Sequence, residues 1–338
     1  MTIQEAIAGL VEGNDLKRKE MVSVMSAIMS GETTDAQIGA FLTGLRIKGE
    51  TVDEIRGAAE VMREKAEKVK TSHSVIVDTC GTGGDHSSTF NISTTAAFVA
   101  AGSGLCVAKH GNRSITSKSG SADVLAALGV NTEATPDKVG ECLDEVGIGF
   151  MFAVTFHGAM KHAIGPRREL APTRTVFNAL GPLTNPAGAT RQVIGVYSAD
   201  MTETFANVLG GLGAEHAFVV HGSDGMDEAT LTGPTRVSEL QAESVSTYDI
   251  KPEDFGLETA TAEDLAGGEP DENASITRAI LDGETGPKRD IVLLNSSFAL
   301  VAGGTAETLE EGIEVAAKTI DSGAAKEKLE RLVEVSNS

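Results

Sequence analysis

The sequence has no apolar run that approaches the roughly 18 residues needed to cross a bilayer, which argues against a membrane protein. Its N-terminal stretch, MTIQEAIAGLVEGND, lacks the basic start and the apolar core of a signal peptide. Cysteine is scarce: Cys80, Cys106 and Cys142 have no C-x-x-C spacing, and their odd number does not suit a disulfide framework. We therefore expect a cytoplasmic protein that makes no membrane contact and whose thiols are free and buried.

The chain also lacks a surplus of positive charge. Its net charge is −21, whereas general nucleic-acid binding usually needs a basic face, so we expect no nucleic-acid partner. The charge is uneven, however. Between Asp78 and Ser121 two acidic residues stand against three basic ones, a local charge of +1 that leaves −22 for the rest of the chain. A neutral-to-basic island in an acidic protein suits a small polyanionic ligand.

Helical patterns dominate residues 1–70, in a chain whose 41% hydrophobic and 23% charged residues are typical of a globular protein. Thr34 and Thr51 each begin a capping box that precedes an amphipathic run. Gly31 and Gly49 stand where helices are expected to stop. This part is therefore predicted to be a small helical domain.

Short apolar strands alternate with helices from SVIVD at 74–78 to HAFVVHG at 216–222. Such alternation predicts an α/β fold with a largely parallel sheet covered on both faces. The proline-rich stretch at 157–188 interrupts the pattern and predicts short helices and turns that pack back on the N-terminal helices. We predict a helical domain at 1–70, joined by helices within about 157–188, and a large α/β domain at 71–338.

A glycine-rich stretch, DTCGTGGDHSSTFNIST at 78–94, follows the first predicted strand and precedes a helix. Glycines let backbone N–H groups approach an anion and a helix N-terminus supplies partial positive charge, so the stretch suits a phosphate. It is not a P-loop, because the GK[ST] ending is absent, and His86 occupies the sixth position of a G-x-G-x-x-G pattern. A tight strand-to-helix turn without a ligand is the alternative interpretation.

A second loop, KHGNRSITSKSGSAD at 109–123, follows the next predicted strand. It combines basic side chains, hydroxyls and glycines, all suited to phosphate, although it is also compatible with a solvated loop. Because the carboxyl ends of parallel strands meet at one edge of a sheet, two such loops favour a shared phosphate-rich ligand.

An acidic pair, Asp227 and Glu228, lies in GSDGMDEAT after a later strand. Mg²⁺ in proteins takes one or two carboxylates together with waters and phosphate oxygens. The pair is therefore either a magnesium site or simple surface charge, and the two phosphate loops favour the first.

An arginine pair, Arg167 and Arg168, lies in PRREL. Either guanidinium is suited to a bidentate pair with a substrate carboxylate. From this stretch alone, a salt bridge on a helix surface is the simpler interpretation.

Taken together, these motifs resemble the anthranilate phosphoribosyltransferase family, in an ordered match from about residue 3 to the C-terminus. The motifs that carry the resemblance are GTGGD (81–85), NIST (91–94), KHGNR (109–113), KSGSAD (118–123), FNALGPLTNPA (177–187) and GMDE (225–228). The resemblance implies a fold of the nucleoside phosphorylase/phosphoribosyltransferase class III type. That fold has a small N-terminal helical domain, a large α/β domain with a mainly parallel central sheet, and a homodimer contact through the helical domain.

The resemblance also implies a reaction, in which the phosphoribosyl group of phosphoribosyl pyrophosphate (PRPP) passes to the amino group of anthranilate in tryptophan biosynthesis, with Mg²⁺ as cofactor. It implies anthranilate contacts at Gly81, Asn112 and Arg167, and metal ligation by Ser93, Asp227 and Glu228. It identifies no general acid or base. The PRPP contacts that it implies are Gly81, Gly84, Asp85, Thr89, Asn91, Ile92, Ser93, Thr94, Lys109, His110, Gly111, Asn112, Arg113 and Ser121.

The alternative functions come from proteins of related fold. A pyrimidine nucleoside phosphorylase would use inorganic phosphate and should not need the paired carboxylates of GMDE, and a nucleic-acid-binding relative would need a basic groove. Two positions depart from the family pattern beside the expected anthranilate channel: Val154 and Gly158 stand where the family usually or often has proline. We expect these departures to affect the acceptor rather than the phosphate loops.

Overall fold

The computed structural model describes residues 1–85, 87–114 and 118–338. Its N-terminal helices are α1 (Ile3–Val11), α2 (Arg18–Met29), α3 (Asp35–Lys48) and α4 (Val52–Lys65). The hydroxyls of Thr34 and Thr51 each accept the N–H three residues later at 3.3 Å, so both predicted helix starts are confirmed. Gly49 ends α3 with φ +90°, also as predicted.

The strands of the described residues form one seven-stranded sheet. They are β1 (Val77–Gly81), β2 (Val107–Gly111), β3 (Ile148–Phe152), β4 (Arg191–Gly195), β5 (His216–Gly222), β6 (Thr235–Gln241) and β7 (Ser244–Ile250), in the order β3-β2-β1-β4-β5-β6-β7. The first five strands pair in parallel, and β6 and β7 add an antiparallel hairpin at one edge. The mainly parallel sheet is confirmed, and the hairpin is an addition that the sequence analysis did not foresee.

Helices cover both faces of this sheet. On β5, Phe218 and Val220 belong to the core that contains Phe298, whereas Val219 between them belongs to the core that contains Phe41 of α3. Neighbouring residues of one strand thus contribute to opposite cores. The remaining helices are α5 (Ile92–Gly102), α6 (Ser121–Ala127), α7 (Pro136–Val146), α8 (Ala153–Phe156), α9 (Lys161–Glu169), α10 (Val176–Leu180), α11 (Met201–Gly211), α12 (Pro270–Leu281), α13 (Pro287–Gly303), α14 (Leu309–Asp321) and α15 (Ala324–Asn337).

The proline-rich stretch at 157–188 consists of short helices and turns, as predicted. Its α9 packs against α2 and α3, and its α10 packs against α3 and α4. Arg63 of α4 donates to the carbonyl oxygens of Leu183 (2.7 Å) and Leu212 (3.2 Å), which joins the N-terminal helices to the α/β part. The domain boundary near residue 70 stays a prediction.

The three cysteines, Cys80, Cys106 and Cys142, are buried and free, as predicted. Burial raises the pKa of the Cys106 and Cys142 thiols to about 11, so neither has thiolate character. In the described part of the chain, no helix has both the length and the apolar character needed to cross a membrane.

Candidate active site

The carboxyl ends of the parallel strands bring the predicted motifs to one edge of the sheet. Strand β1 ends in Gly81 and β4 ends in Gly195. A Cβ atom on Gly81 would lie 2.4 Å from the Asp227 carboxylate, and one on Gly195 would lie 1.5 Å from the Asp227 carbonyl oxygen. Glycine at both strand ends therefore allows the turn that carries Asp227 to pack directly against β1 and β4.

The glycine-rich turn after β1 is held from three sides. The N–H of Thr82 donates to the last carbonyl of β4 (2.9 Å), and the N–H of Gly83 donates to Oδ2 of Asp227 (2.7 Å). The guanidinium of Arg174 donates to the carbonyl oxygen of Gly84. Gly83 and Gly84 have φ values of +65° and +73°, which favour glycine. The turn is thus a well-defined structure formed by long-range contacts.

The acidic turn after β5 lies against the first turn of α5. Oε1 of Glu228 accepts the N–H of Ser93 at 3.2 Å, so the structure brings together the implied metal ligands Ser93, Asp227 and Glu228. Burial, reinforced by the charge of Asp85, raises the pKa of Asp227 to about 7. Burial and the charge of Asp227 raise the pKa of Glu228 to about 8. Two crowded carboxylates of this kind favour a bound cation.

The donor chemistry of this cluster fits Mg²⁺. This cation takes oxygen ligands and is usually held by one or two carboxylates that leave positions for waters and phosphate oxygens. Asp227 and Glu228 supply the carboxylates, and the Ser93 hydroxyl is adjacent. Among the described residues, no group of three or more His, Cys, Asp or Glu side chains is placed to hold a metal, so the cluster is not an all-protein cage.

Two polar side chains stabilise the turn that carries the acidic pair. Asn295 of α13 is buried, accepts the N–H of Ala229 (2.9 Å) and donates to the carbonyl of the same residue (2.8 Å). Asp224 accepts the hydroxyls of Thr230 (2.7 Å) and Thr232 (2.6 Å). The turn that carries the two carboxylates is therefore held at Ala229, directly after the pair, and is closed by Asp224, which precedes it.

Lys109 lies buried beneath the same edge of the sheet. Its Nζ donates to the carbonyl oxygen of Thr79 (2.5 Å) and to Oγ of Ser93 (3.4 Å). Burial lowers the pKa of Lys109, while the negative charges of Asp78 and Glu228 are among those that oppose the shift. The site thus joins a lysine amine to the acidic pair through one serine.

The start of α5 links the two predicted phosphate loops. Oδ1 of Asn91 accepts the Ser119 hydroxyl (3.1 Å) and the Asn273 amide (3.0 Å), and its Nδ2 donates to the Ser119 carbonyl (3.2 Å). Within the described residues, the second amide hydrogen of Asn91 has no acceptor. The side chains of Ile92 and Thr94 are buried, and the Thr94 hydroxyl has no partner among the described residues.

The second loop leaves β2 at Gly111, where a Cβ atom would lie 2.1 Å from Oγ of Ser121. The Ser121 hydroxyl donates to the carbonyl of Asn112 (3.3 Å), and the Asn112 side chain accepts the N–H of Arg113 (2.8 Å). The Arg113 guanidinium itself lies 3.6 Å from the Glu133 carboxylate. The structure therefore brings together Gly111, Asn112 and Ser121, whereas the Arg113 guanidinium faces Glu133, which is not a predicted site residue.

Other parts of the predicted loops are placed less centrally. Thr89 pairs its backbone with Ala266, and its hydroxyl lies 3.1 Å from Oγ of Ser87. His86 and residues 115–117 of the second loop lie outside the described residues.

His110 is buried and makes hydrogen bonds through both ring nitrogens. Its Nδ1 lies 3.1 Å from the carbonyl oxygen of Gly181, which can only accept, so Nδ1 carries the hydrogen. Its Nε2 lies 3.2 Å from Nε2 of His157, which therefore donates. Burial, reinforced by His157, lowers the pKa of His110 to about 3, and burial lowers that of His157 to about 4. A neutral His110 with both nitrogens engaged has no lone pair to take a proton from a substrate.

Asp78 anchors the main chain beside His110. This fully buried carboxylate accepts the His110 N–H (3.0 Å) and the Asn185 amide (2.7 Å), and Asn185 also donates to the carbonyl of Ala108 (2.8 Å). Burial raises the pKa of Asp78, and these two hydrogen bonds oppose that shift. Asn185, the second asparagine of the motif FNALGPLTNPA, thus joins β1 to β2.

Arg167 lies half-buried on α9, with its guanidinium carbon 5.1 Å from the ring centroid of Phe177, and burial lowers its pKa. Its neighbour Arg168 is exposed. No described carboxylate lies within ion-pair distance of either arginine, so the salt-bridge interpretation is not supported there. The segment that contains Phe177 continues to Gly181, the partner of His110, and so connects the Arg167 region to β2.

Packing does not require valine at position 154 or glycine at position 158, the two departures from the family pattern. Val154 on α8 is 65% exposed. A Cβ atom on Gly158 would meet nothing within 4 Å. Both positions therefore have room for other side chains.

Several residues of the site could not be predicted from the sequence because their partners are distant in the chain. Arg174 is 90 residues from Gly84, and Asn295 is 66 residues from Ala229. No local sequence pattern predicts such contacts. Gly195 is different, since a glycine at the carboxyl end of a predicted parallel strand is a signal that could have identified it.

Comparison with known proteins agrees with this architecture. The glycosyl transferase family models match in two parts, the helical bundle domain at residues 4–66 and the a/b domain at residues 73–326. The anthranilate phosphoribosyltransferase of Moorella thermoacetica is 57% identical over 331 residues, which cover 98% of this chain and 97% of the relative. The solved anthranilate phosphoribosyltransferase from Thermus thermophilus has a TM-score of 0.94 and 43% identity, with 98% of this chain and 99% of that chain covered. The Saccharomyces cerevisiae enzyme, solved in complex with PRPP and Mg, has a TM-score of 0.90 and 29% identity, with 99% of this chain and 98% of that chain covered. The chain therefore belongs to the anthranilate phosphoribosyltransferase family.

Proposed function

We propose that the protein transfers the phosphoribosyl group of PRPP to the amino group of anthranilate, giving N-(5-phosphoribosyl)anthranilate and pyrophosphate, in tryptophan biosynthesis. The observation that carries the proposal is the meeting of the glycine-rich turn, the start of α5, Lys109 and the acidic pair at one sheet edge. Membership of the family supports it further and does not favour the pyrimidine nucleoside phosphorylase alternative.

The donor site proposed here uses the backbone of the two loops. Gly81, Gly84 and Asp85 of the first loop, and Gly111 and Asn112 of the second, would offer main-chain donors to the phosphates of PRPP. The further residues assigned to this site are Thr89, Asn91, Ile92, Ser93, Thr94, Lys109, His110, Arg113 and Ser121. Their grouping around α5 and β2 supports the assignment.

The proposed cofactor is Mg²⁺, held by Ser93, Asp227 and Glu228. A bound magnesium ion stabilises the negative charge that develops on a departing pyrophosphate. The raised pKa values of Asp227 and Glu228 support the assignment, because two half-buried like charges are relieved by a cation. The yeast relative was solved with both PRPP and Mg.

The proposed acceptor site consists of Gly81, Asn112 and Arg167, with the Arg167 guanidinium on the anthranilate carboxylate. A half-buried arginine without an acidic partner among the described residues suits this role, because a buried guanidinium is stabilised by an incoming carboxylate. Its stacking on Phe177 would hold the guanidinium in one orientation.

The proposed chemistry forms a bond between the anthranilate nitrogen and C1 of the ribose, and breaks the bond from C1 to the pyrophosphate oxygen. The amine attacks with its own lone pair and loses a proton to solvent after the bond has formed. No general base is therefore required, and the geometry of His110 agrees with that conclusion. Residues such as Lys109 and the loop N–H groups would stabilise the leaving group and align the donor.

We also propose a two-domain division, with a helical domain at 1–70 joined by helices within 157–188, and an α/β domain at 71–338. Closure of these domains would exclude water from the reacting sugar. Contacts of α9 and α10 with the N-terminal helices support this division.

A cytoplasmic homodimer formed through the helical domain is part of the proposal. Val11 on α1, Ile47 on α3 and Ile164 on α9 are exposed by 79%, 82% and 46% of their surface, and α3 packs against both other helices. Exposed apolar side chains on neighbouring helices suit a protein contact. Sedimentation of the wild type and of an Ile47→Glu variant checks it, and a wild-type monomer would contradict it.

Loss of anthranilate fluorescence in the presence of PRPP, measured with and without Mg²⁺, tests the function directly. Metal-dependent loss that needs both substrates is the expected result. If fluorescence is unchanged while calorimetry detects PRPP binding, the donor site stands and anthranilate is not the acceptor.

A further inference from the structure

Arg174 joins the turn between α9 and α10 to the glycine-rich loop. Its Nη2 donates to the carbonyl oxygen of Gly84, and its guanidinium carbon lies 3.8 Å from the ring centroid of Tyr197. A cation stacked on an aromatic face in this way has a restricted orientation. The arginine is thus held on one side by the ring and directed on the other to a single main-chain carbonyl.

Tyr197 is itself tied to the same loop. Its N–H donates to Oγ1 of Thr82 at 3.2 Å, and the N–H of Thr82 donates to the carbonyl oxygen of Gly195 at 2.9 Å. The residues that follow β4 therefore support both the first residue of the loop and the ring on which Arg174 stacks. Arg174 completes this arrangement at Gly84.

The orientation of one peptide unit depends on this contact. Gly83 and Gly84 occupy the left-handed region, and two successive glycines leave the unsupported backbone many alternatives. In a planar trans peptide the C=O and the next N–H point in opposite directions. Because the Gly84 carbonyl is directed to Arg174, the N–H of Asp85 is directed away from Arg174. A flipped peptide would replace that donor by a carbonyl oxygen, which repels phosphate.

We propose that Arg174, supported by Tyr197, is a positioning residue that presets the glycine-rich loop for the diphosphate of PRPP. This inference rests on the proposed function of the loop. Arg174 acts through the main chain and does not itself contact the reacting atoms. Lysine should replace it only in part, because an ammonium neither stacks as a plane nor keeps the same direction to the carbonyl.

Arg174 also lines a groove of about 230 Å³, which it shares with Tyr197 and with Arg46 and Glu50 at the end of α3. A small solute such as guanidinium can therefore approach the position of the Arg174 side chain from solvent. This access provides a chemical test that a purely structural role would not pass.

The test compares Arg174→Ala and Arg174→Lys with Arg168→Ala, which removes an exposed arginine from the same segment. For Arg174→Ala we expect the KM for PRPP, and the calorimetric Kd for PRPP with Mg²⁺, to rise about tenfold or more. The KM for anthranilate should change less than about twofold. The tenfold figure is the size expected when one charge-assisted hydrogen bond that supports the PRPP site is lost. Millimolar guanidinium should restore part of the PRPP affinity of Arg174→Ala. Amides 82–85 should exchange faster in that variant than in the wild type.

The outcomes separate this inference from the function on which it rests. If the wild type fails to bind PRPP, the proposed function is wrong. If the wild type binds PRPP and Arg174→Ala binds it equally well, the positioning role is wrong. Equal increases in both KM values, or a lower Tm with unchanged PRPP affinity, would also overturn it. Should Arg174→Ala fail to fold, Arg174→Lys gives the same comparison with the charge retained.

Discussion

The N–H of Ser93 donates to Oε1 of Glu228 at 3.2 Å, and this hydrogen bond joins the first turn of α5 to the acidic turn after β5. On its other side, Oγ of Ser93 lies 3.4 Å from Nζ of Lys109. One serine therefore contacts a carboxylate and a lysine amine through different atoms. The proposed metal site and the proposed phosphate site are parts of one hydrogen-bonded unit, so a change in either should be felt by the other.

Replacement of Glu228 by glutamine separates the charge of this side chain from its hydrogen bond. The amide oxygen can still accept the Ser93 N–H, but the negative charge is lost. We expect the Mg²⁺ concentration for half-maximal activity to rise about tenfold or more, which corresponds to about 1.4 kcal/mol of lost metal affinity. Initial rates against Mg²⁺ concentration measure it. Asp249→Asn, at an exposed carboxylate on β7, is the control, and an unchanged magnesium titration in Glu228→Gln would show that Glu228 is not a metal ligand.

Arg167→Ala should weaken the acceptor selectively. Loss of a charge-assisted pair with the anthranilate carboxylate is expected to raise the KM for anthranilate about tenfold or more, with a much smaller effect on the KM for PRPP. Steady-state kinetics with each substrate varied in turn measure both values. Arg168→Ala removes the exposed neighbour on the same helix and should leave both unchanged. Equal effects of Arg167→Ala on the two substrates would remove Arg167 from this role.

Local chemistry explains what the sequence predicted well. Helix starts at Thr34 and Thr51 were predictable because a capping box lies within four residues. The strand expected at 74–78 is found three residues later, at Val77–Gly81. Its pairing with β4 begins at Val77 and continues to the pair of Gly81 with Gly195. A glycine next to a turn does not reveal whether a distant strand will continue the ladder.

The β6–β7 hairpin shows why other features could not be predicted. Its turn residues Ala242 and Glu243 have φ values of +48° and +64°, so the glycine or asparagine that usually marks such a turn is absent. The site has the same limitation. Its two loops and its acidic pair were recognisable as local motifs, but the contacts of Arg174 with Gly84 and of Asn295 with Ala229 exist only after distant segments have packed together.

Gly195→Ala tests whether the acidic turn depends on close packing against β4. The new Cβ atom would lie 1.5 Å from the Asp227 carbonyl oxygen, so the main chain of the acidic turn has to move. We expect a loss of about 3 kcal/mol or more in the free energy of unfolding, the size associated with overpacking against an immobile backbone. Urea unfolding measures it. Gly158→Ala is the matched control, since its Cβ atom meets nothing within 4 Å, and equal stability of the two variants would contradict the geometry.

The pair formed by His110 and His157 should make the protein less stable as the pH falls. Burial lowers the pKa of His110 to about 3 and of His157 to about 4, so both rings are neutral when folded, whereas the unfolded chain binds protons below its ordinary imidazole pKa of about 6.5. Between the lowered pKa values and about pH 6.5, unfolding therefore takes up protons. The free energy of unfolding is greatest above about pH 6.5, and by about pH 5 it should have fallen by roughly 2 kcal/mol for each imidazole. Urea unfolding of the wild type and of His157→Leu over this range measures the slope, which should be smaller in the variant because one titrating group is gone. His73→Gln, at an exposed histidine, is the control variant. Identical slopes in the wild type and His157→Leu would mean that His157 is protonated to the same extent in the folded and unfolded protein.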